Sequence, residues 1–174
     1  KTYGNTDPTL AWQITSGNLV GSDTLTGSIV RASGENAGTY TISKGTLAAS
    51  SNYAMTFVNG IFTINRRPVT VTADSGKTKV YGNTDPTFTW QITSGNLVNT
   101  DSLSGVLSRT AGENVGSYAI SRGTLSNSNN PNYNITFTSA QFTITQRPIS
   151  ITPDNGQTKV YGNPDPTLTW HLVA

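Results

Sequence analysis

The chain repeats itself, and this constrains its fold more than any single residue does. Tyr3 to Leu47 aligns with Tyr81 to Leu125 at a constant offset of 78, and 30 of these 45 positions are identical. Further on the offset becomes 80: Asn52-Tyr53 matches Asn132-Tyr133, Arg67-Pro68 matches Arg147-Pro148, and Tyr81-Gly82-Asn83 returns as Tyr161-Gly162-Asn163. Such a period marks a tandem array of small units rather than one large domain. If a unit opens at Arg-Pro, residues 68–147 make one complete copy. Residues 1–67 are then an incomplete repeat lacking its first strand, and residues 148–174 start a third repeat. On this phase the chain is expected to be a window on a longer array.

Within the complete copy the apolar residues alternate. Val69, Val71 and Ala73 interleave with Thr; Phe88, Trp90 and Ile92 with Thr and Gln; Tyr133, Ile135 and Phe137 with Asn and Thr; Phe142 and Ile144 with Thr. Leu103 to Arg109 follows more loosely, and Tyr118-Ala119-Ile120 is short. Period-2 patterns rich in β-branched and aromatic residues read as half-buried strands. Turn residues divide them, as in Asp74-Ser75-Gly76, Gly82-Asn83-Thr84-Asp85-Pro86, Ser94-Gly95-Asn96, Gly112-Glu113-Asn114 and Asn129-Asn130-Pro131. Only Leu97 to Leu103 has the pattern to close a helical turn. The expected fold is all-β: tandem small antiparallel β-sandwich-like domains of six or seven strands, stacked end to end. A β-grasp-like domain is the alternative, disfavoured by the missing helix signal. Phe142 to Ile151 reads as one strand running into the next without a flexible spacer, and Pro148 holds the junction extended.

The chemistry-bearing residues are sparse. Cys is absent, which removes disulfides, thiolate nucleophiles and cysteine metal clusters. His171 is the one histidine, so no two-histidine metal site exists. Lys and Arg total 11 against 9 Asp and Glu, a net charge of +2, scattered rather than clustered. That is too weak a footprint for nucleic acid. No apolar run approaches the roughly 18 residues of a membrane span, so no membrane insertion by this segment is expected. Thr, Ser and Asn make up more than a third of the chain and carry its solubility. Glu35 and Glu113 are the only glutamates, one per copy, which leaves no carboxylate pair of the glycosidase kind. No Gly-x-Ser-x-Gly elbow and no phosphate-binding loop is present. The expectation is no catalytic, metal or cofactor residue, and no enzyme.

The recurring blocks read first as structure. Lys-Val-Tyr-Gly-Asn-(Thr/Pro)-Asp-Pro-Thr occurs at Lys79–Thr87 and Lys159–Thr167, and at Lys1–Thr9 with Thr2 for Val. Its Gly suits a positive φ, its Asn or Asp an Asx-turn, and its Pro the launch of a strand. The functional reading makes Asp7 and Asp85 calcium ligands or sugar-binding groups, the calcium form weakened by the few carboxylates per copy. Gly-Glu-Asn-(Ala/Val)-Gly-(Thr/Ser)-Tyr-x-Ile, at Gly34–Ile42 and Gly112–Ile120, reads as a tight turn before a core strand. Tyr40 and Tyr118 would anchor it as in a tyrosine corner, the phenol bonding backbone upstream. Trp12, Trp90 and Trp170 share one repeat position and are expected in the core, with sugar stacking as the alternative. His171, where the other copies carry Gln13 and Gln91, reads as surface variation. Asn134-Ile135-Thr136 fits a glycosylation acceptor, but the first copy has Ala54 there.

Taken in order, Arg-Pro-(Val/Ile)-(Thr/Ser)-(Val/Ile)-Thr, Lys-Val-Tyr-Gly-x-x-Asp-Pro-Thr-(Leu/Phe)-Thr-Trp, Thr-Ser-Gly-x-Leu-Val, Gly-Glu-Asn-Val-Gly-x-Tyr-x-Ile, Gly-Thr-Leu, Asn-Tyr-x-(Ile/Met)-Thr-Phe and Phe-Thr-Ile resemble the MBG repeat of the Tyr-Gly-x type. The likeness runs the length of the chain. It departs in Trp at an aromatic position where Tyr is usual, and in Ser-Asp or Thr-Asp where Gly-Asp is usual. The resemblance implies a segment of a large secreted bacterial protein, of filamentous-haemagglutinin or biofilm-matrix adhesin kind, located outside the cell or on its surface. It implies no catalytic residue and no ligand site.

Two functions are then in view. The first is a non-catalytic structural repeat of a surface adhesin, forming a rigid stalk or filament whose partners are the neighbouring repeats. The second is a glycan- or receptor-binding module using Trp or the Asn-rich loop at Ser126–Pro131. In a sharper form of the first, a tail strand from residues 148–158 completes the first copy of another chain, giving head-to-tail association into a fibre.

Overall fold

The computed structural model describes residues 1–173, and every regular element among them is a strand. In chain order these are β1 Val30–Arg31, β2 Gly38–Ser43, β3 Gly60–Ile64, β4 Arg67–Ala73, β5 Lys77–Val80, β6 Trp90–Ser94, β7 Ser108–Arg109, β8 Gly116–Ser121, β9 Tyr133–Thr138, β10 Gln141–Thr145, β11 Ile151–Pro153 and β12 Trp170–Leu172. Strands β4 to β10 form two sheets, ordered β6-β4-β9 and β5-β10-β8-β7. Val69, Val71, Ala73, Tyr133 and Ile135 from the first meet Ile120, Phe142 and Ile144 from the second in one buried cluster, closed by Leu107 and Leu125. Alternation along β4 and β10 places every second side chain in that layer. The chain is therefore all-β and sandwich-like, with no helix among the described residues.

Two features differ from the expected antiparallel unit. Strands β4 and β9 pair in parallel, from Arg67 opposite Tyr133 to Thr72 opposite Thr138. Strands β5 and β10 also pair in parallel, from Lys77 opposite Phe142 to Val80 opposite Thr145. Parallel neighbours need a long connection rather than a hairpin, and about 60 residues separate each pair in sequence. Leu97 to Leu103 does not form a helical turn. It folds as a β-turn in which Asp101 N–H donates to the Val98 carbonyl at 2.9 Å and Asn99 has φ 48°.

The first copy shows what β4 does. Strands β1 to β3 form a sheet matching β7-β8-β10, and Thr2 bridges Asn65 in parallel where Val80 meets Thr145. Trp12–Ser16 and Tyr53–Val58 are the counterparts of β6 and β9. With no counterpart of β4 between them among the described residues, they form no ladder. Nearly the same sequence is a strand in one copy and irregular in the other, because a strand needs a partner for its backbone groups. Strands β11 and β12 repeat the β4–β6 pairing, with Pro153 opposite Trp170 as Ala73 is opposite Trp90.

Candidate functional site at the contact between copies

Each of the first two copies carries a charge quartet made from both recurring blocks. Lys79, at the end of β5, contacts Asp85 at 2.7 Å and Glu113 at 2.5 Å. Arg109, in β7, forks onto Asp85 through Nε at 2.5 Å and Nη2 at 3.1 Å, and also reaches Glu113 at 2.5 Å. Its Nη1 donates to the Thr110 and Gly112 carbonyls. The guanidinium lies 5.2 Å from the ring centres of both Tyr118 and Phe142. Lys1, Asp7, Arg31 and Glu35 repeat the arrangement. Hydrogen bonding to Arg109 holds the Asp85 carboxyl down to about 2, and the Arg31 partner does the same for Asp7. Glu113 is lowered by Lys79 and then by Arg109. In the third copy Lys159 pairs with Asp165.

The quartet revises the reading of Asp7 and Asp85. The glycine of the block does adopt positive φ, at 82° for Gly4 and 85° for Gly82. The aspartate, however, reaches a lysine and an arginine rather than capping its own turn, and two cations occupy the carboxylate that a calcium ion would need. Among the described residues no cluster of three acidic or histidine side chains suits a metal ion. Tyr118 donates to the Asn114 carbonyl at 2.7 Å, the upstream backbone bond expected of it, and Tyr40 donates likewise to Asn36. Gly112 is required beneath that ring: its φ is 140°, and a Cβ there would sit 2.4 Å from Tyr118 Cε1.

A second cluster joins the copies. Tyr133, the first residue of β9, donates to Asp101 at 2.6 Å and accepts from Val98 N–H at 2.9 Å. Tyr53, Asp23 and Val20 form the same knot in the first copy. Onto the knot of the second copy comes Tyr3 of the first, whose hydroxyl donates to the same Asp101 oxygen at 2.9 Å. Desolvation, reinforced by Asp101, raises Tyr3 and pushes Tyr133 up to about 12.

Arg67 lies between the copies and binds both. Its Nη1 donates to the Tyr3 carbonyl at 2.9 Å and to Asn5 at 3.0 Å, while Nη2 and Nε reach Asn96 at 3.0 and 3.2 Å. Asn132 accepts from Ala37 N–H at 2.9 Å and donates to Asn36 at 3.0 Å. Gly4 backs onto Val98, where a Cβ would lie 2.3 Å from Cγ2. The contact thus takes Tyr3, Gly4 and Asn5 from the first recurring block, Asn36 and Ala37 from the second, and Arg67 from the junction. The sequence showed that these blocks recur; it gave no sign that they face the next copy. The one available signal was that Tyr-Gly-Asn recurs at every copy while its tyrosine has no place in a strand.

The other candidates divide. Trp90 packs at the margin of the core, whereas Trp12 and Trp170 are exposed in copies whose β6-β4-β9 sheet is not assembled. His171 Nδ1 lies 2.6 Å from Asp154 on the surface. Asn134 is exposed and accepts from Asn127 at 3.1 Å. The Ser126–Pro131 loop is tied inward. Buried Asn130 donates to the Ser104 and Ser126 carbonyls and accepts from Ser104 N–H, and Asn129 donates to the Thr124 carbonyl.

Compared with known families, the chain matches the model described as MBG domain (YGX type) twice, over residues 1–63 and 69–143. No curated protein and no solved structure matches it.

Proposed function

The chain belongs to the MBG domain family of the YGX type, and from that premise we propose that it is a non-catalytic, load-transmitting repeat segment of an extracellular bacterial adhesin. Its units open at Arg-Pro and stack end to end as a stiff stalk. The observation that carries this reading is the contact through Tyr3, Asp101 and Tyr133, with Arg67 hydrogen-bonded to both copies. A flexible tether needs no such contact, and an isolated binding module gains nothing by placing its most distinctive recurring residues against its neighbour. The half of the contact that the first copy supplies returns in the second at Tyr81-Gly82-Asn83 and Arg147. The quartet, built from both recurring blocks, holds each unit together.

Small-angle scattering of the 174-residue chain, and of the chain with Tyr3→Phe and Asn132→Ala together, tests the reading. A fixed spacing between the first two copies, lost in the double variant, is the expected result. A broad distribution of spacings in the unmodified chain overturns it. A glycan array probed with the same protein addresses the second function; binding by the folded chain would move the assignment toward a recognition module.

A further inference from the structure

Two stretches of the complete unit run side by side. The first is β4 followed by β5; the second is β9 followed by β10. In each, the chain leaves the β6-β4-β9 sheet and enters the other through a short link, Asp74–Gly76 in one and Ser139–Ala140 in the other. The second link passes without a turn. The stretches pair in parallel in both sheets, over six positions between β4 and β9 and four between β5 and β10. Arg67 opens the first stretch and Thr145 closes the second, so the chain enters the unit on one and leaves it on the other. Both entering and leaving strands are interior: β4 lies between β6 and β9, and β10 between β5 and β8.

From this topology we infer that the unit is a mechanical clamp, in which tension along the chain is carried as shear across the two parallel ladders. Pulling Arg67 one way and Thr145 the other slides the two stretches past each other along their length. The hydrogen bonds of a ladder loaded in this way share the force and must fail together. A ladder pulled apart from one end fails one bond at a time. The side chains beneath the ladders resist the same displacement, since Val69, Val71, Ile135, Phe142 and Ile144 all lie in the buried layer. The second copy therefore resists extension more than its modest size suggests, and resistance to forced unfolding is set by the unfolding barrier rather than by equilibrium stability. This goes beyond the stalk reading and fails separately from it: stiffness depends on the contact between copies, and the clamp lies wholly within one copy.

Single-molecule force spectroscopy on the full chain tests it, and the absence of cysteine allows handles to be placed at will. In one protein Arg66→Cys and Gln146→Cys, both exposed, load the unit along its natural direction. In the other Arg66→Cys and exposed Pro131→Cys load the same end of the β4–β9 ladder, where Arg67 faces Tyr133, and open it sideways. The expected result is one rupture releasing residues 66–146, at about 3.6 Å of contour per residue, with a force about twofold or more above that of the sideways pull at equal loading rate. Equal forces in the two directions, or extension along the natural direction without a rupture, overturn the clamp. Urea denaturation without load checks that both proteins fold alike; if Pro131→Cys shifts the midpoint, exposed Asn134→Cys, opposite Pro68 at the same end of the ladder, replaces it.

Discussion

Tyr3 and Tyr133 meet edge to face, ring centres 5.6 Å apart, and both hydroxyls donate to one oxygen of Asp101. One tyrosine belongs to each copy, so a single carboxylate serves the interior of one unit and its contact with the other. The two roles separate by substitution. Asp101→Asn removes the charge that both phenols address and is expected to cost about 1.5–3 kcal/mol, the usual range for a hydrogen bond to a charged group. Tyr3→Phe removes only the donor from the neighbouring copy and leaves the Tyr133 knot in place, so the second unit is expected to keep its stability within about 0.5 kcal/mol. Urea denaturation of the two variants, followed through the second copy, distinguishes them; equal losses would mean the knot and the contact are one cooperative structure.

Arg109 is the residue on which the two recurring blocks converge, and lysine is a poor replacement. Its side chain is only 8% exposed, forks onto Asp85, donates to two carbonyls and lies against Tyr118 and Phe142. A lysine keeps the charge but cannot reproduce the fork or its stacking. Arg109→Lys is expected to destabilise the chain by about 2 kcal/mol and Arg109→Met, which leaves two carboxylates facing Lys79 alone, by about 3 kcal/mol. Thermal unfolding in parallel with urea titration reads both values.

The same quartet sets the response to acid. Asp85 and Asp7 titrate near 2 in the folded chain against an ordinary 3.8, and Glu113 and Glu35 are lowered too. A folded pKa below the unfolded one gives stability that is complete above the unfolded value and lost as pH falls through the folded one. Stability is therefore expected to be level above about pH 5 and to fall between about pH 4 and 2. Urea midpoints measured across that interval should fall more gently in Arg109→Met, where the shift of Asp85 loses its main cause.

At the alkaline end the sign reverses. Tyr133 is pushed up to about 12 by burial and by Asp101, and Tyr3 is raised by the same causes. The contribution of Tyr133 is fully present below the ordinary phenol value of 10 and is lost as pH rises through about 12, and that of Tyr3 is likewise lost on the alkaline side. Ultraviolet titration of the unmodified chain and of Tyr133→Phe is expected to differ by a step near pH 12. A Tyr133 step found at the ordinary phenol value of 10 instead would mean the knot is open in solution.

The strands were legible where alternation was strong: Val69, Val71 and Ala73 announce β4, and Phe142 and Ile144 announce β10. Strand β5 was not, because Lys77-Thr78-Lys79-Val80 looks solvated; Lys79 is buried only because Asp85 and Glu113 neutralise it. The quartet was hidden for the same reason. Its members lie up to 34 residues apart, and each alone reads as a surface charge. The parallel ladders were invisible because the alternation of β4 is the same whichever neighbour it takes. Local sequence also failed for Trp12–Ser16, which matches Trp90–Ser94 in sequence and forms no strand, its partner strand being the deciding term.

Gly4 tests the contact between copies with the smallest possible change. Its φ is 82°, and a Cβ would fall 2.3 Å from Val98 Cγ2 and 2.9 Å from Cγ1. Both distances are far inside van der Waals contact, and Val98 belongs to the turn that presents Asp101 and binds Tyr133. Alanine at this position meets two costs: about 1–2 kcal/mol for a left-handed backbone, and displacement of one copy from the other. Gly17, also at positive φ but with open space around it, carries the backbone cost alone. Comparing Gly4→Ala with Gly17→Ala therefore separates strain from separation. Residual dipolar couplings are expected to keep one alignment for both copies in Gly17→Ala and to give each copy its own alignment in Gly4→Ala, with the shifts of Val71, Ile120 and Phe142 in the core of the second copy unchanged. A common alignment surviving in Gly4→Ala would mean that Arg67 and Asn132 hold the copies together without the tyrosine.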